Sequence, residues 1–148
     1  MDKYATVATK KLVILPLLIL ATFGLFGCTQ VGQLVPADER ILFSEHETGQ
    51  GTYNANGLTV DYTYKLQGRD LNLAGNAWYR GGVDSLNVYV LFIDPAGTVL
   101  QQKIAYYSGY RSSKYWYADN SFQETLAVPS GAAGFTFSYS AQPSHSKR

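Results

Sequence analysis

An all-β fold, an antiparallel β-sandwich of about seven strands behind an N-terminal signal helix, is what this sequence predicts, and three observations carry the prediction. Apolar and polar residues alternate at period two through most of the chain after residue 57, the spacing of a half-buried strand. Gly, Pro, Asn and Asp interrupt that alternation every roughly 8–12 residues, the turn spacing of sandwiches and small barrels. The long apolar run stands at the very start, from Leu12 to Phe26, and no later segment shows a convincing long helical period. A small closed barrel is the alternative arrangement of the same strands.

The chain has 148 residues, room for one domain behind a leader. Charged residues make up 16% of it, against roughly 25% in an average soluble protein. Removing residues 1–27 removes Lys3, Lys10, Lys11 and Asp2, which leaves nine basic and ten acidic residues. Basic residues cluster only at Lys147 and Arg148. A nucleic-acid partner is excluded on that ground, because phosphate binding rests on several clustered Lys and Arg contacts. One cysteine, Cys28, cannot close an intramolecular disulfide, so stability rests on the core, which a domain of this size can supply.

The first element is the leader. Lys3, Lys10 and Lys11 precede fifteen uncharged residues, Leu12 to Phe26. That is the layout of a secretory signal peptide, with an apolar stretch shorter than the ~20 residues of a spanning helix. An uncut transmembrane anchor is the other reading. Gly24 and Gly27, near the end of the run, fit a cleavage region better. Leu25-Phe26-Gly27-Cys28 closes the run, and this junction resembles the lipobox of bacterial lipoprotein precursors. The resemblance implies that the Cys28 thiol receives a diacylglyceryl group, that the signal, residues 1–27, is removed immediately before it, and that the new amino terminus is acylated with a fatty acid such as palmitate. It implies a lipid bilayer as partner through acylated Cys28, and, with Thr29 rather than Asp next, the outer membrane facing the periplasm. One acyl chain holds a protein marginally and two or three hold it durably. A buried core cysteine and a free reactive thiol are the other readings of Cys28.

Thr29 to Ala37 is polar with one Gly and one Pro, so residues 28–37 are expected to form a tether, and residues 38–141 the sandwich. Arg40 to Glu45 is expected as a first edge strand, with a helical turn as the alternative over Asp38 to Glu47. Gln50 to Gly57 (QGTYNANG) reads as loop or turn. In Leu58 to Leu66 (LTVDYTYKL), Leu58, Val60, Tyr62, Tyr64 and Leu66 share one side and Thr59, Asp61, Thr63 and Lys65 the other. After a turn at Gln67 to Asp70, Asp70 to Tyr79 alternates again with Leu71, Leu73 and Ala77 inward, which makes a hairpin. Leu86 to Ile93 is apolar on both sides after Asn87, the mark of a central strand covered on both faces. Asp94-Pro95-Ala96-Gly97 suits a type I turn, and Val99 to Tyr107 returns as the next strand. Phe122 to Val128 and Phe135 to Ala141 are the last two, joined through Pro129, Ser130 and Gly131. Residues 142–148 form a loose polar tail.

The stretch LNVYVLFIDPAGTVL at Leu86 to Leu100, with VPSGAAGFTFSY at Val128 to Tyr139, resembles the immunoglobulin-like domains of the FxLYD type found in exported bacterial lipoproteins. What this implies is an immunoglobulin-like sandwich in the cell envelope; the family brings no catalytic residues.

No reaction is marked by motif. His46 and His145 are the two histidines, no Gly-x-Ser-x-Gly elbow occurs, and no Cys or His spacing suits a metal. Asp84 and Asp94 flank a strand and share no meeting point. An enzyme whose carboxylates pair only in space stays open, but the expectation is a non-enzyme without cofactor or metal. The unusual segment is Tyr106 to Tyr117, YYSGYRSSKYWY, with five of the twelve tyrosines. Tyr110, Tyr115, Trp116 and Tyr117 could stack on sugar rings or grip a protein, with Arg111 and Lys114 reaching an anion. Ordinary strand packing is the other reading. The functional expectation is thus an anchored structural or adaptor module with an envelope protein or a glycan as partner, the alternative being a carbohydrate- or peptidoglycan-binding domain that uses this aromatic segment.

Overall fold

The computed structural model describes residues 31–81, 83–109 and 120–143. A short 3-10 turn, Ala37–Glu39, is followed by eight strands: β1 (Ile41–Leu42), β2 (Thr48–Ala55), β3 (Leu58–Gln67), β4 (Asp70–Tyr79), β5 (Val83–Ile93), β6 (Val99–Tyr107), β7 (Ser121–Ala127) and β8 (Gly134–Pro143). All pairings are antiparallel. The strands form two four-stranded sheets, β2-β3-β4-β7 and β1-β8-β5-β6. The expected antiparallel sandwich is therefore present, with eight strands among the described residues and with three consecutive ones, β2 to β4, side by side in one sheet.

The two inner faces make the core. On β3, Leu58, Val60 and Tyr64 are buried and Tyr62 and Leu66 half-buried; on β4, Leu71, Leu73 and Ala77 are buried. Val88, Val90 and Phe92 of β5 meet them from the other sheet, with Phe135 and Phe137 of β8. Aromatic edges fill the middle: Tyr64 stands perpendicular to Phe135 at 5.5 Å between centroids, and Tyr62 lies 5.4 Å from Phe137. Such pairs add roughly 0.5–1.5 kcal/mol each beyond their burial.

Residues 50–55, expected as part of a loop, belong to strand β2; the turn is confined to Asn56 and Gly57. Both residues have positive φ, 48° and 89°, as a two-residue hairpin turn of the I′ type requires. Gly51, which suggested a loop, and Gly49 just before that stretch have a packing cause. Gly49 pairs with Tyr64 and Gly51 with Tyr62, and each ring lies over its glycine. A Cβ on Gly51 would stand 2.8 Å from the Tyr62 hydroxyl, and one on Gly49 would run into the Tyr64 ring. The first strand is also shorter than expected, Ile41–Leu42 rather than Arg40 to Glu45.

The far end of β5 is buried on both faces, as expected, and the cover is the segment expected to be a tether. Leu91 and Ile93 point away from the main core and form a second cluster with Val99 and Val35, all between 0 and 3% exposed. From Gly32 the segment is hydrogen-bonded to the start of β6: Gly32 N–H donates to Val99 O (2.8 Å), Val99 N–H to Gln33 O (2.8 Å) and Val35 N–H to Gly97 O (2.9 Å). The sandwich also extends past residue 141, because Gln142 and Pro143 pair with Ser85 and Val83. Residues 144–148 lie outside the described residues.

Gly49→Ala should lower stability by about 1–3 kcal/mol, since the added methyl group must displace a packed ring. Urea unfolding followed by circular dichroism measures it.

Candidate functional site

The outer face of the β2-β3-β4-β7 sheet is an ordered array of polar groups, most of them neutral. Register lays Gln50, Thr63, Ala74 and Gln123 in one cross-strand row and Thr52, Asp61, Asn76 and Ser121 in the next. Ala74 offers only a methyl group, and the centre of the face sinks there into an open depression of about 800 Å³ bounded by these rows. The groups around it are tied to one another. Thr52 Oγ1 donates to Asp61 Oδ1 (2.5 Å), Thr59 Oγ1 to Asn54 Oδ1 (2.8 Å), Asn72 Nδ2 to Gln67 Oε1 (2.9 Å) and Thr125 Oγ1 to Asn72 Oδ1 (2.8 Å). Trp78, 42% exposed, stands opposite Thr59 and next to the Asn76 row. The arrangement offers fixed hydrogen-bond donors and acceptors beside one exposed ring, and Asp61 and Lys65 carry opposite charges.

Burial raises the phenol pKa of Tyr53, Tyr62 and Tyr139 above the ordinary value of 10.0, so they stay protonated and serve packing. His46 is exposed on the β1–β2 connection, and Asp84 and Asp94 stand at opposite ends of β5. Among the described residues, no three of His, Cys, Asp and Glu are grouped to hold a metal ion.

The sequence-singled residues are distributed as follows. Tyr106 is a core residue, 7% exposed, with its ring 6.3 Å from Phe122. Tyr107 is exposed on the outer face of the other sheet, opposite Asn87. Tyr110, Arg111, Lys114, Tyr115, Trp116 and Tyr117 lie outside the described residues, as does Cys28. The described residues bracketing the aromatic segment are pinned at one end of the sandwich: Ser108 N–H donates to Leu86 O (3.0 Å), and Ala77 N–H to Asn120 O (3.0 Å). The docked segment Gly32–Val35 is at the opposite end, against Gly97 and Val99.

Sequence reading missed the polar face as a unit. Thr59, Asp61, Thr63 and Lys65 were visible as the polar side of β3, but taking β2 for a loop hid the neighbouring strand. Trp78 carried no local signal that set it apart from an ordinary strand aromatic.

The mount of the chain's entry is also a built feature. Arg40 Nε and Nη2 both donate to Val35 O, at 2.8 and 2.6 Å. The guanidinium occupies the space a side chain at position 97 would need, and Gly97 has φ 91°, so glycine is required there twice over. Compared with known proteins, the chain matches no family model, no curated protein and no solved structure.

Arg40→Ala removes both charge-assisted bonds and should cost about 1–3 kcal/mol. Limited proteolysis should then cut between residues 31 and 36 sooner than in the unaltered protein, as read by mass spectrometry.

Proposed function

We propose that this chain is the precursor of an exported lipoprotein, held at the cell envelope by acylated Cys28, at the outer membrane facing the periplasm, and that its sandwich is a structural or adaptor binding module without catalytic activity. The leader with Lys3, Lys10 and Lys11, the apolar run to Phe26 and the Leu25 to Cys28 junction support the anchor. The observation that carries the module reading is the shortness of the link. Cys28 is four residues from Gly32, where the hydrogen-bonded segment begins, a reach of at most roughly 14 Å. A lipid at Cys28 would hold the domain close to the bilayer and present it, where a long flexible tether would let it wander. An array made mostly of neutral donors and acceptors suits binding better than acid–base chemistry, which needs a positioned group with a pKa near the working pH.

Growing cells with an alkyne fatty acid and conjugating a dye to the extracted protein tests the anchor. The unaltered chain should take up label and Cys28→Ala should not; a Cys28→Ala protein that still labels refutes the reading.

A glycan-binding reading also draws support, from the polar face rather than from the aromatic segment. Neutral, polyhydroxylated ligands match an array made mostly of amides and hydroxyls with the Asp61 carboxylate among them, and a pyranose ring can stack on Trp78. Titration with neutral oligosaccharides and peptidoglycan fragments, followed by calorimetry, should give binding that Trp78→Ala weakens about tenfold or more, a loss of about 1.4 kcal/mol. A flat response over the whole panel removes this reading.

A further inference from the structure

An exposed strand edge offers a row of unpaired N–H and C=O groups to any other strand, and natural sheets blunt such edges with charges, prolines, bulges or short strands. Three of the four edges here are blunted. β1 is two residues long. β6 carries Lys103, its pairing with β5 is shifted at two points, and its start is covered by Gly32–Val35. β7 carries Glu124 in its middle. β2 has none of these devices: it runs eight residues, TGQGTYNA, without a charge, a proline or a break in its register against β3.

The open groups of β2 can be named. A two-residue turn at Asn56 and Gly57 makes Ala55 and Leu58 a hydrogen-bonded pair, and the antiparallel alternation then directs Tyr53, Gly51 and Gly49 to β3 as well. The bond from Leu66 N–H to Glu47 O (2.6 Å) continues that series. Thr48, Gln50, Thr52 and Asn54 therefore turn their backbone groups outward. Ser44 Oγ donates to Thr48 O (2.6 Å) and closes one end. Gln50, Thr52 and Asn54 leave three N–H and three C=O groups facing outward.

We infer that this edge pairs antiparallel with β2 of a second copy of the chain, about a two-fold axis normal to the sheet near Thr52. Three features select a second copy. Self-pairing places Gln50, Thr52 and Asn54 against one another with no charge opposed to a like charge. The ends are complementary, because exposed Glu45 and Glu47 precede β2 while exposed Arg80, whose N–H bonds Gly57 O at 2.7 Å, stands at the other end; antiparallel pairing brings each acidic end to the partner's arginine. A two-fold axis normal to the sheet also keeps the two entry segments, which dock on the outer face of the β1-β8-β5-β6 sheet, on the same side of the pair. Both copies can then be anchored in one bilayer. The inference rests on the strand edges, and it stands without the lipid anchor.

Sedimentation velocity of the full chain in detergent micelles, over a hundredfold concentration range, tests it. The unaltered chain should pass from monomer to dimer. Thr52→Pro removes an outward N–H and, although it loses the side-chain bond to Asp61, leaves the backbone bonds to β3 intact, and the double variant Gln50→Lys, Asn54→Lys puts a lysine opposite a lysine on both sides of the axis; each should weaken association about tenfold or more, the equivalent of one to two lost hydrogen bonds. Thermal melting checks that both variants fold, and if the proline variant does not, the lysine variant decides. A monomer at every concentration, or dimers that survive in the folded variants, overturns the inference.

Discussion

The far end of β5 has no polar side, and the rest of the structure is arranged around that fact. Val90 and Phe92 face the opposing sheet while Leu91 and Ile93 face the other way, and all four are essentially inaccessible. At about 25 cal/mol per Å², leaving two such side chains in water would cost several kcal/mol, a large part of a small domain's stability. Val35 covers them, and holding Val35 in place recruits the turn of β5–β6. Gly97 and Val99 supply the backbone partners, Gly97 leaves room for the Arg40 guanidinium, and Arg40 binds the Val35 carbonyl. Asp94 closes the same turn, its carboxylate accepting from Thr98 N–H at 2.8 Å. The segment from Gly32 to Val35 is thus part of the fold, so a pull on it is transmitted to the central strand.

How much of this could be read from the sequence depends on whether the cause is local. β3 and β4 announce themselves because each buries one face, and period two is a property of neighbouring residues. β5 announces its double burial in the same way. β2 does not: the rings that require Gly49 and Gly51 come from Tyr64 and Tyr62, fifteen and eleven residues further along the chain. Val35 is hidden for the same reason, since its partners lie from Leu91 to Val99. Tyr106 illustrates a third case. The register of β6 against β5 shifts between Val88 and Tyr89, so Ala105 and Tyr106 are both buried, and strict alternation cannot place both inward.

The candidate site follows the same division. Its polar residues were legible strand by strand, yet a face is a property of four strands in register, and Ser121 and Gln123 of β7 reach β4 only through pairings about fifty residues apart. The depression exists because Ala74, at the centre of that register, offers only a methyl group. Its neighbour Gly75 faces the other way and is required by the core: a Cβ there would run into Asp61 O and meet the Phe122 ring at 2.9 Å.

The two outer faces of the sandwich differ in a way that bears on orientation. Of the large apolar side chains left exposed among the described residues, Leu42, Ile104 and Tyr107 belong to the outer face of the β1-β8-β5-β6 sheet, and Val31 and Leu34 to the segment docked on that face; Trp78 alone is on the polar face. A bilayer interface favours apolar side chains over hydrogen-bonding arrays. A lipid at Cys28, within four residues of the docked segment, would draw the apolar-studded face toward the membrane and turn the polar depression away from it. Pairing through β2 preserves that orientation in both copies and joins their polar faces edge to edge into one surface of eight strands. The weak charge of the chain suits such a design, since a domain of net charge near zero has little self-repulsion to oppose association.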